Sequence, residues 1–154
     1  MDKFMEAAIE EAFKGIGKNH GGPFGAVIVH NGVIIARAHN MVISKNDPTA
    51  HAEMLAIRKA AKNLSDYNLS GCKIYSSCEP CPMCLAAILW ARIETLYYGC
   101  TRDDAAEIGF DDKLIYGMID IRDNEKMLKK REMERKECLR PFRAWAKKED
   151  KLIY

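Results

Sequence analysis

Three short segments of the chain carry residues that could together form a metal site with hydrolytic chemistry. The segments are His51-Ala52-Glu53, Pro80-Cys81 and Cys84. A catalytic zinc takes three protein ligands and keeps its fourth position for water. We predict one Zn²⁺ per chain, held by His51, Cys81 and Cys84, because imidazole and thiolate are ligands that zinc accepts.

The spacing of these residues indicates how they would be positioned. Cys84 follows Cys81 by three positions, which places both sulfurs on one side of a first helical turn. The unpaired N–H groups and positive dipole end of that turn favour thiolates. Glu53 as a fourth ligand would close the site, so we predict that it exchanges protons with the water. Zinc lowers the pKa of that water towards about 7, and a neighbouring carboxylate can pass the proton to a leaving nitrogen.

Two other interpretations of the cysteines remain open at this point. Cys81 and Cys84 could be a redox pair, but that function needs neither His51 nor Glu53. They could also belong to a structural zinc site with a fourth protein ligand, for which Cys78 is a stronger candidate than Cys72. We favour a catalytic zinc because the histidine, the spaced glutamate and the proline-flanked cysteines occur together.

Apolar periodicity and turn residues predict the elements that position this site. Asn31-Gly32 joins two apolar runs and is a strong hairpin signal. Thr49 is a plausible cap of the helix that carries Glu53. The predicted helices cover residues 2–14, about 49–62, 83–92, 103–108, 126–137 and 141–148, and the predicted strands 25–29, 33–38, 72–76 and 95–99. This order predicts an α/β sandwich with a mixed sheet.

Composition limits the class of protein. The chain has 154 residues, of which 48% are apolar and 30% are charged, which excludes a disordered, collagen-like or low-complexity chain. We expect a single domain, 1–154. No apolar run approaches the roughly 18 residues of a membrane helix, and the acidic N-terminus is unlike a signal peptide. We therefore expect a cytoplasmic protein whose six cysteines are thiols.

The C-terminal part of the chain is basic. Residues 122–154 contain 12 Lys or Arg and 7 Asp or Glu, a balance of +5, which leaves −3 for residues 1–121. Clustered cations can bind the phosphates of a nucleic acid. We favour a solvent-exposed helix because acidic and basic residues alternate along this segment. We therefore expect neither a nucleic acid nor a membrane as a partner.

Longer stretches around the motifs resemble the cytidine-deaminase-like superfamily, whose zinc signature is H-x-E with P-C-x-x-C. These stretches are Gly21-Gly22-Pro23-Phe24-Gly25-Ala26-Val27-Ile28-Val29, Asn46-Asp47-Pro48-Thr49-Ala50-His51-Ala52-Glu53 and Ser77-Cys78-Glu79-Pro80-Cys81-Pro82-Met83-Cys84. More narrowly, three others are similar to the bacterial guanine deaminases: Asp104 to Asp112, Ile115-Tyr116, and Pro141-Phe142-Arg143-Ala144-Trp145 through Tyr154. The resemblance covers nearly the whole chain and is least distinctive between about residues 119 and 140.

The resemblance implies a fold, a reaction and an assembly. The fold is a three-layer α/β/α sandwich with a mixed five-stranded sheet. The reaction is the zinc-dependent hydrolysis of guanine, a small purine base, to xanthine and ammonia. The assembly is a homodimer in which residues 141–154 close the pocket and can be exchanged between subunits.

Substrate contacts are also implied by the resemblance, position by position. Asn40 and Asp112 are the polar contacts to the base, Phe24 and Trp90 are apolar pocket residues, and Tyr154 is the cap. The chemistry agrees, because a carboxylate accepts from ring N–H groups and an amide pairs with an O or N acceptor. Flat aromatic rings suit a flat base. The alternative roles are a turn at Asn40, a helix cap at Asp112 and plain core at Phe24.

Three other functions compete with this one. A tRNA adenosine deaminase shares the zinc motifs and acts on an unstacked base, and the basic C-terminal part favours it. Against it stand the acids at Asp111 and Asp112, which would repel a phosphate backbone. A deaminase of guanosine or of another free base would use identical chemistry. A non-catalytic zinc module would not need Glu53.

Overall fold

The computed structural model describes residues 2–120 and Arg135. The chain divides into two compact units between Leu114 and Ile115, and the sheet and its covering helices belong to the first. Apart from Arg135, the helices predicted at 126–137 and 141–148 lie outside the described residues. Within the described residues, no helix is both long and apolar enough to cross a membrane.

The elements of residues 2–120 follow the predicted order with small shifts of their ends. They are α1 (Lys3–Gly17), β1 (Gly25–His30), β2 (Val33–His39), α2 (Val42–Lys45), α3 (Ala52–Leu64), β3 (Cys72–Cys78), α4 (Pro82–Trp90), β4 (Thr95–Cys100), α5 (Arg102–Glu107) and α6 (Lys113–Asp120). The short helix α2 and the helix α6 were not predicted from the sequence.

The hairpin between β1 and β2 forms as the sequence predicts. Asn31 and Gly32 have φ angles of 50° and 75°, which are the left-handed conformations that a tight two-residue turn requires. β1 then pairs with β2 on one side and with β3 on the other, both antiparallel. The turn therefore fixes the register of the strands that lead to the candidate site.

Within residues 2–120 the sheet has four strands in the order β2-β1-β3-β4, and it is mixed because β3 and β4 run parallel. For this described part of the chain, the expectation of a five-stranded sheet is wrong. After β4 the chain turns into α5 through a capping box, in which the Thr101 side chain accepts from the Asp104 N–H and Asp104 accepts from Thr101. Local capping therefore favours helices in the segment that follows β4, and residues 113–120 also form a helix.

Helices cover both faces of the sheet, so the three-layer α/β/α arrangement is observed. Ala26 and Ile28 of β1 belong to the core shared with α3 and α4, whereas Val27 and Val29 belong to the core shared with α1. β1 is buried on both faces, as its nearly unbroken apolar sequence predicts. Gly25 allows the close approach of α1, because a Cβ there would lie 2.0 Å from the Ala8 carbonyl oxygen.

Candidate metal centre

His51 lies at the N-terminal end of α3, where it is the N-cap residue with extended backbone angles. The prediction that Thr49 caps this helix is wrong. The Thr49 N–H and hydroxyl both donate to Oδ1 of Asp47, at 2.8 and 2.7 Å, and so stabilise the preceding turn. The helix consequently starts two residues later, which places the His51 ring at its end.

The two cysteines lie at the start of the other helix, as predicted. Cys81 is the N-cap residue of α4 and Pro82 occupies its first position. Proline suits this position because its missing N–H would have no partner in the first turn. Cys84 follows two residues after Pro82 and is fully buried. The beginnings of α3 and α4 therefore meet, with their positive dipole ends directed at one place.

The three donor atoms have the separation that a tetrahedral zinc requires. Nδ1 of His51 lies 3.6 Å from Sγ of Cys81 and 3.6 Å from Sγ of Cys84. All three donor atoms lie within 4.8 Å of one another. With Zn–N of about 2.0–2.1 Å and Zn–S of about 2.3 Å, tetrahedral ligand atoms lie about 3.6 Å apart. The geometry and the donor types therefore fit Zn²⁺.

The pKa shifts of the donor residues favour the binding of a cation. The hydrogen bond with Cys84 lowers the pKa of Cys81 to about 4 against the effect of burial, and His51 lowers it further. The same hydrogen bond raises the pKa of Cys84, and burial raises it further. The hydrogen bond with Cys81 raises the pKa of His51. The pair thus holds a thiolate at Cys81, and a bound metal would replace the remaining protons.

Glu53 lies in the first turn of α3, next to the donors, and is 6% exposed. Burial raises the pKa of its carboxyl group. Its Oε1 accepts a hydrogen bond of 3.2 Å from the Ser76 hydroxyl, which is buried on β3. Ser76 was not predicted from the sequence: its inward position on an apolar strand marks it as a buried hydroxyl but does not identify Glu53 as its partner. A buried carboxyl of raised pKa can both accept and release a proton.

The fourth-ligand candidates do not join the donor group. Among residues 2–120, the group within 4.8 Å contains His51, Cys81 and Cys84. Cys78 instead donates from Sγ to the Thr101 carbonyl at 3.5 Å, and burial raises the pKa of its thiol to about 11. Cys72 is buried at the other end of β3. The described donors therefore leave a tetrahedral position for water.

Asn40 is tied to the metal centre by backbone hydrogen bonds. It directly follows β2 and is 5% exposed. Its N–H donates to the Phe24 carbonyl at 3.0 Å, and the N–H of the next residue, Met41, donates to the carbonyl of Ala50, which precedes His51. The Asn40 Oδ1 also accepts from the Val42 N–H at 3.2 Å. The turn interpretation of Asn40 is therefore correct for its contact with Val42. Its contact with a base stays a prediction.

Asp112 and Phe24 lie in the same unit as the donors. Burial raises the pKa of the half-buried Asp112, Arg102 opposes this effect, and the Cys81 charge adds to it. The Phe24 ring packs edge-on against Phe110, with the ring centroids 5.0 Å apart. The charge interaction with Cys81 indicates that Asp112 lies near the metal donors, and its contact with a substrate stays a prediction.

In the part of the chain that it describes, the structure does not place the other two predicted substrate-contact residues, Trp90 and Tyr154, beside the metal donors. Trp90 is the last residue of α4, six residues after Cys84, and is 72% exposed. Tyr154 lies outside the described residues, as do the rest of 141–154. Both roles stay predictions.

An apolar cavity of about 400 Å³ lies between α1, β4 and α5. Phe24 and Cys78 line it, but none of the three metal donors and neither Glu53 nor Asn40 does. The cavity is therefore separate from the candidate metal centre.

Comparison with known proteins agrees with this geometry. Residues 1–100 match the family described as the cytidine and deoxycytidylate deaminase zinc-binding region. A guanine deaminase of Bacillus subtilis is 50% identical over 144 residues, covering 94% of this chain and 92% of that protein. An X-ray structure of guanine deaminase from the same organism has a TM-score of 0.95 at 48% identity, covering 99% of this chain and 98% of that one.

A second group of relatives matches a shorter part of the chain. A tRNA-specific adenosine deaminase of Bacillus subtilis is 46% identical over 96 residues, which is 62% of this chain and 59% of that protein. The site has a histidine and two cysteines at the starts of two helices, with a buried glutamate beside them. This arrangement agrees with the family match over residues 1–100. The chain belongs to the zinc-binding family of the cytidine and deoxycytidylate deaminases.

Proposed function

We propose that the protein is a zinc-dependent guanine deaminase that hydrolyses guanine to xanthine and ammonia. The extent of similarity carries this proposal. The guanine deaminase of Bacillus subtilis matches 144 of the 154 residues, whereas the tRNA-specific adenosine deaminase of that organism matches 96. The longer match must include most of the chain after residue 100, where Asp112 lies.

The reaction exchanges the amino group at C2 of guanine for an oxygen atom from water. A C–O bond forms, the C–N bond breaks, and the nitrogen leaves as ammonia. His51, Cys81 and Cys84 would hold the zinc, which would supply a water whose pKa is lowered to about 7. Glu53 takes a proton from the attacking water and gives it to the leaving nitrogen. The Ser76 hydroxyl holds the carboxylate of Glu53 in position for both transfers.

The base would be oriented by Asn40 and Asp112. Guanine has N–H donors along its Watson–Crick edge and acceptors at O6 and N7. Asp112 accepts from the donors and the Asn40 amide pairs with an acceptor. Phe24, whose carbonyl accepts from the Asn40 N–H, would supply an apolar wall. The buried position of Asn40 and the proximity of Asp112 to Cys81 support this arrangement.

The C-terminal segment 141–154 would close the pocket with Tyr154 as the lid. Deleting residues 151–154 should lower kcat/KM for guanine much more than it lowers the melting temperature. The reason is that a closed site excludes bulk water and holds the base still, while four terminal residues contribute little core. Unchanged guanine kinetics after the deletion would contradict this role. A weakened affinity for polynucleotide would assign the segment to RNA instead.

We also propose that the enzyme is a cytoplasmic homodimer in which the C-terminal segments can be exchanged. The outer side of α4 supports association, because Leu85, Leu89 and Trp90 are 38%, 67% and 72% exposed there. Apolar side chains exposed in a row on one helix are typical of surfaces that contact a partner.

The competing substrates are guanosine and the wobble adenosine of a tRNA. The shorter match to tRNA deaminases and the basic residues of 122–154 favour the second. A panel of guanine, guanosine, adenine, cytosine and tRNA, each assayed for ammonia release with zinc-loaded protein, separates them. We expect guanine to have the highest kcat/KM. Faster release from tRNA or from guanosine would overturn the proposal.

A further inference from the structure

Glu11, His39 and His20 form a hydrogen-bonded row outside the metal centre. Oε2 of Glu11 on α1 lies 2.8 Å from Nδ1 of His39, the last residue of β2. Nε2 of His39 lies 2.9 Å from Nδ1 of His20, in the loop after α1, and the two rings stack with centroids 5.2 Å apart. Glu11 and His39 are each 7% exposed, so bulk water screens the contact between these two residues only weakly.

The proton positions in the row follow from the ionised carboxylate. Burial raises the pKa of Glu11, but the hydrogen bonds from His39 and Lys14 outweigh it and lower the pKa. A carboxylate only accepts, so Nδ1 of His39 carries the proton. With a single proton on His39, Nε2 is an acceptor, and Nδ1 of His20 donates to it. Both hydrogen bonds are therefore donated in the same direction, from His20 to His39 and from His39 to Glu11.

The row joins the two backbone segments that enclose the Asn40 side chain. The residue after His39 is Asn40, and the residue after His20 is Gly21. A Cβ at Gly21 would lie 2.1 Å from Oδ1 of Asn40, so the Gly21 backbone packs directly on that amide. The His20 carbonyl also accepts from the N–H groups of Ile43 and Ser44, which follow Asn40. Displacing His20 would therefore displace the wall against which the Asn40 amide rests.

We propose that Glu11, His39 and His20 are positioning residues that hold the Asn40 amide in its base-binding orientation. This inference rests on the proposed function, because it acts through the predicted contact between Asn40 and guanine. Loss of the row should weaken substrate binding and leave the proton transfers of Glu53 intact.

Low pH should break the hydrogen bond between His20 and His39. When both imidazoles are protonated, an N–H on His20 faces an N–H on His39 at a distance that requires one donor and one acceptor. The other charged groups around the pair are Glu11 and Lys14 on α1 and Lys18 in the loop. Partial burial lowers the pKa of His20 from its ordinary value of 6.5, so the positioning effect should fade only as the pH falls below that value.

The test compares kcat and KM for guanine in zinc-loaded, full-length variants. His20→Ala should raise KM about five- to ten-fold at neutral pH, the effect of one net hydrogen bond, with kcat within about two-fold of wild type. His20→Asn should restore KM, because its side-chain amide keeps an N–H donor near the position of Nδ1. The ratio of the His20→Ala KM to the wild-type KM should fall towards one as the pH is lowered below 6.5, the ordinary pKa of histidine.

Glu10→Gln is the matched control, because the Glu10–Arg37 ion pair of 3.2 Å joins the same helix and strand on the exposed surface. Its kcat and KM should equal those of wild type. If the wild type deaminates guanine and His20→Ala has an unchanged KM, this inference is overturned but the proposed function is not. A wild type that does not release ammonia from guanine would overturn the proposed function as well.

Imidazole ¹⁵N NMR tests the row without substrate. We expect both His20 and His39 to be protonated at Nδ1 at neutral pH. An Nε2-protonated tautomer at His39 would overturn the inference whatever the enzyme's substrate.

Discussion

Replacing Glu53 with Gln removes the proposed proton carrier and preserves its shape. The side chain is 6% exposed, and its Oε1 accepts a hydrogen bond from the Ser76 hydroxyl. The amide oxygen of Gln can accept the same hydrogen bond. Burial raises the pKa of Glu53, so the folded protein does not depend on its negative charge for stability. We therefore expect Glu53→Gln to fold normally and to bind one zinc.

The expected loss of turnover is large. General acid–base catalysis contributes about 10²–10⁴-fold, which corresponds to about 2.7–5.4 kcal/mol in the activation barrier. Glu53 serves both the attacking water and the leaving nitrogen, so the loss should lie towards the upper end. Ser76→Ala removes only the contact that orients the carboxylate. We expect it to lower kcat by about ten-fold or less.

Initial rates of ammonia release from guanine measure both variants, with zinc content and a melting curve recorded on the same samples. A Glu53→Gln protein with a full complement of zinc, a wild-type melting temperature and kcat within ten-fold of wild type would refute the assigned role. A larger loss in Ser76→Ala than in Glu53→Gln would also contradict the assignment.

Three further predictions concern the ligands, the base contact and the buried acid. Cys84→Ser should abolish stoichiometric zinc binding, whereas Cys78→Ser should retain it, as measured by metal analysis after dialysis. Gly21→Ala should raise KM for guanine at least ten-fold, because its Cβ would lie 2.1 Å from Oδ1 of Asn40 and displace it. Glu11→Gln should lower the free energy of unfolding by about 1–2 kcal/mol at neutral pH in denaturant titrations. This difference is complete above the ordinary pKa of 4.5 and is lost as pH falls through the lowered folded-state pKa.

Each of these predictions has a contradicting outcome. Zinc lost from Cys78→Ser would assign that thiol to the site. Gly17→Ala is the control for Gly21→Ala, because a Cβ at Gly17 meets nothing within 4 Å, and it should leave KM unchanged. Equal KM values in the two alanine variants would contradict the packing of Gly21 on Asn40. A Glu11→Gln difference that does not decrease as the pH falls below 4.5 would show that the hydrogen bond to His39 does not depend on ionisation.

The metal centre was predictable from the sequence because its determinants are local. The spacing of Cys81 and Cys84 fixes their geometry within one helical turn, and Pro82 marks the start of that turn. The start of α3 was predicted two residues early, because Asp47 captures the Thr49 hydroxyl that the cap prediction needed. A side chain that can cap a helix can equally stabilise the turn before it, and periodicity does not distinguish the two.

The contacts that the sequence analysis missed join residues that are distant in the chain. Ser76 meets Glu53 across 23 positions, and His39 meets Glu11 across 28. Neither pair follows a helical or strand spacing, so no local pattern predicts it. The five-stranded sheet was expected from a family resemblance, and capping at Thr101 directs the chain into a helix after β4.

Ammonia release from guanine as a function of zinc bound per chain tests the central claim most directly. Protein stripped by a chelator is reloaded with increasing zinc, and the rate is measured together with metal content and xanthine. We predict a rate that rises in proportion to zinc, reaches its maximum at one zinc per chain, and yields one xanthine for each ammonia. Full activity in the stripped protein, or a fully zinc-loaded protein that releases no ammonia from guanine, would contradict the account.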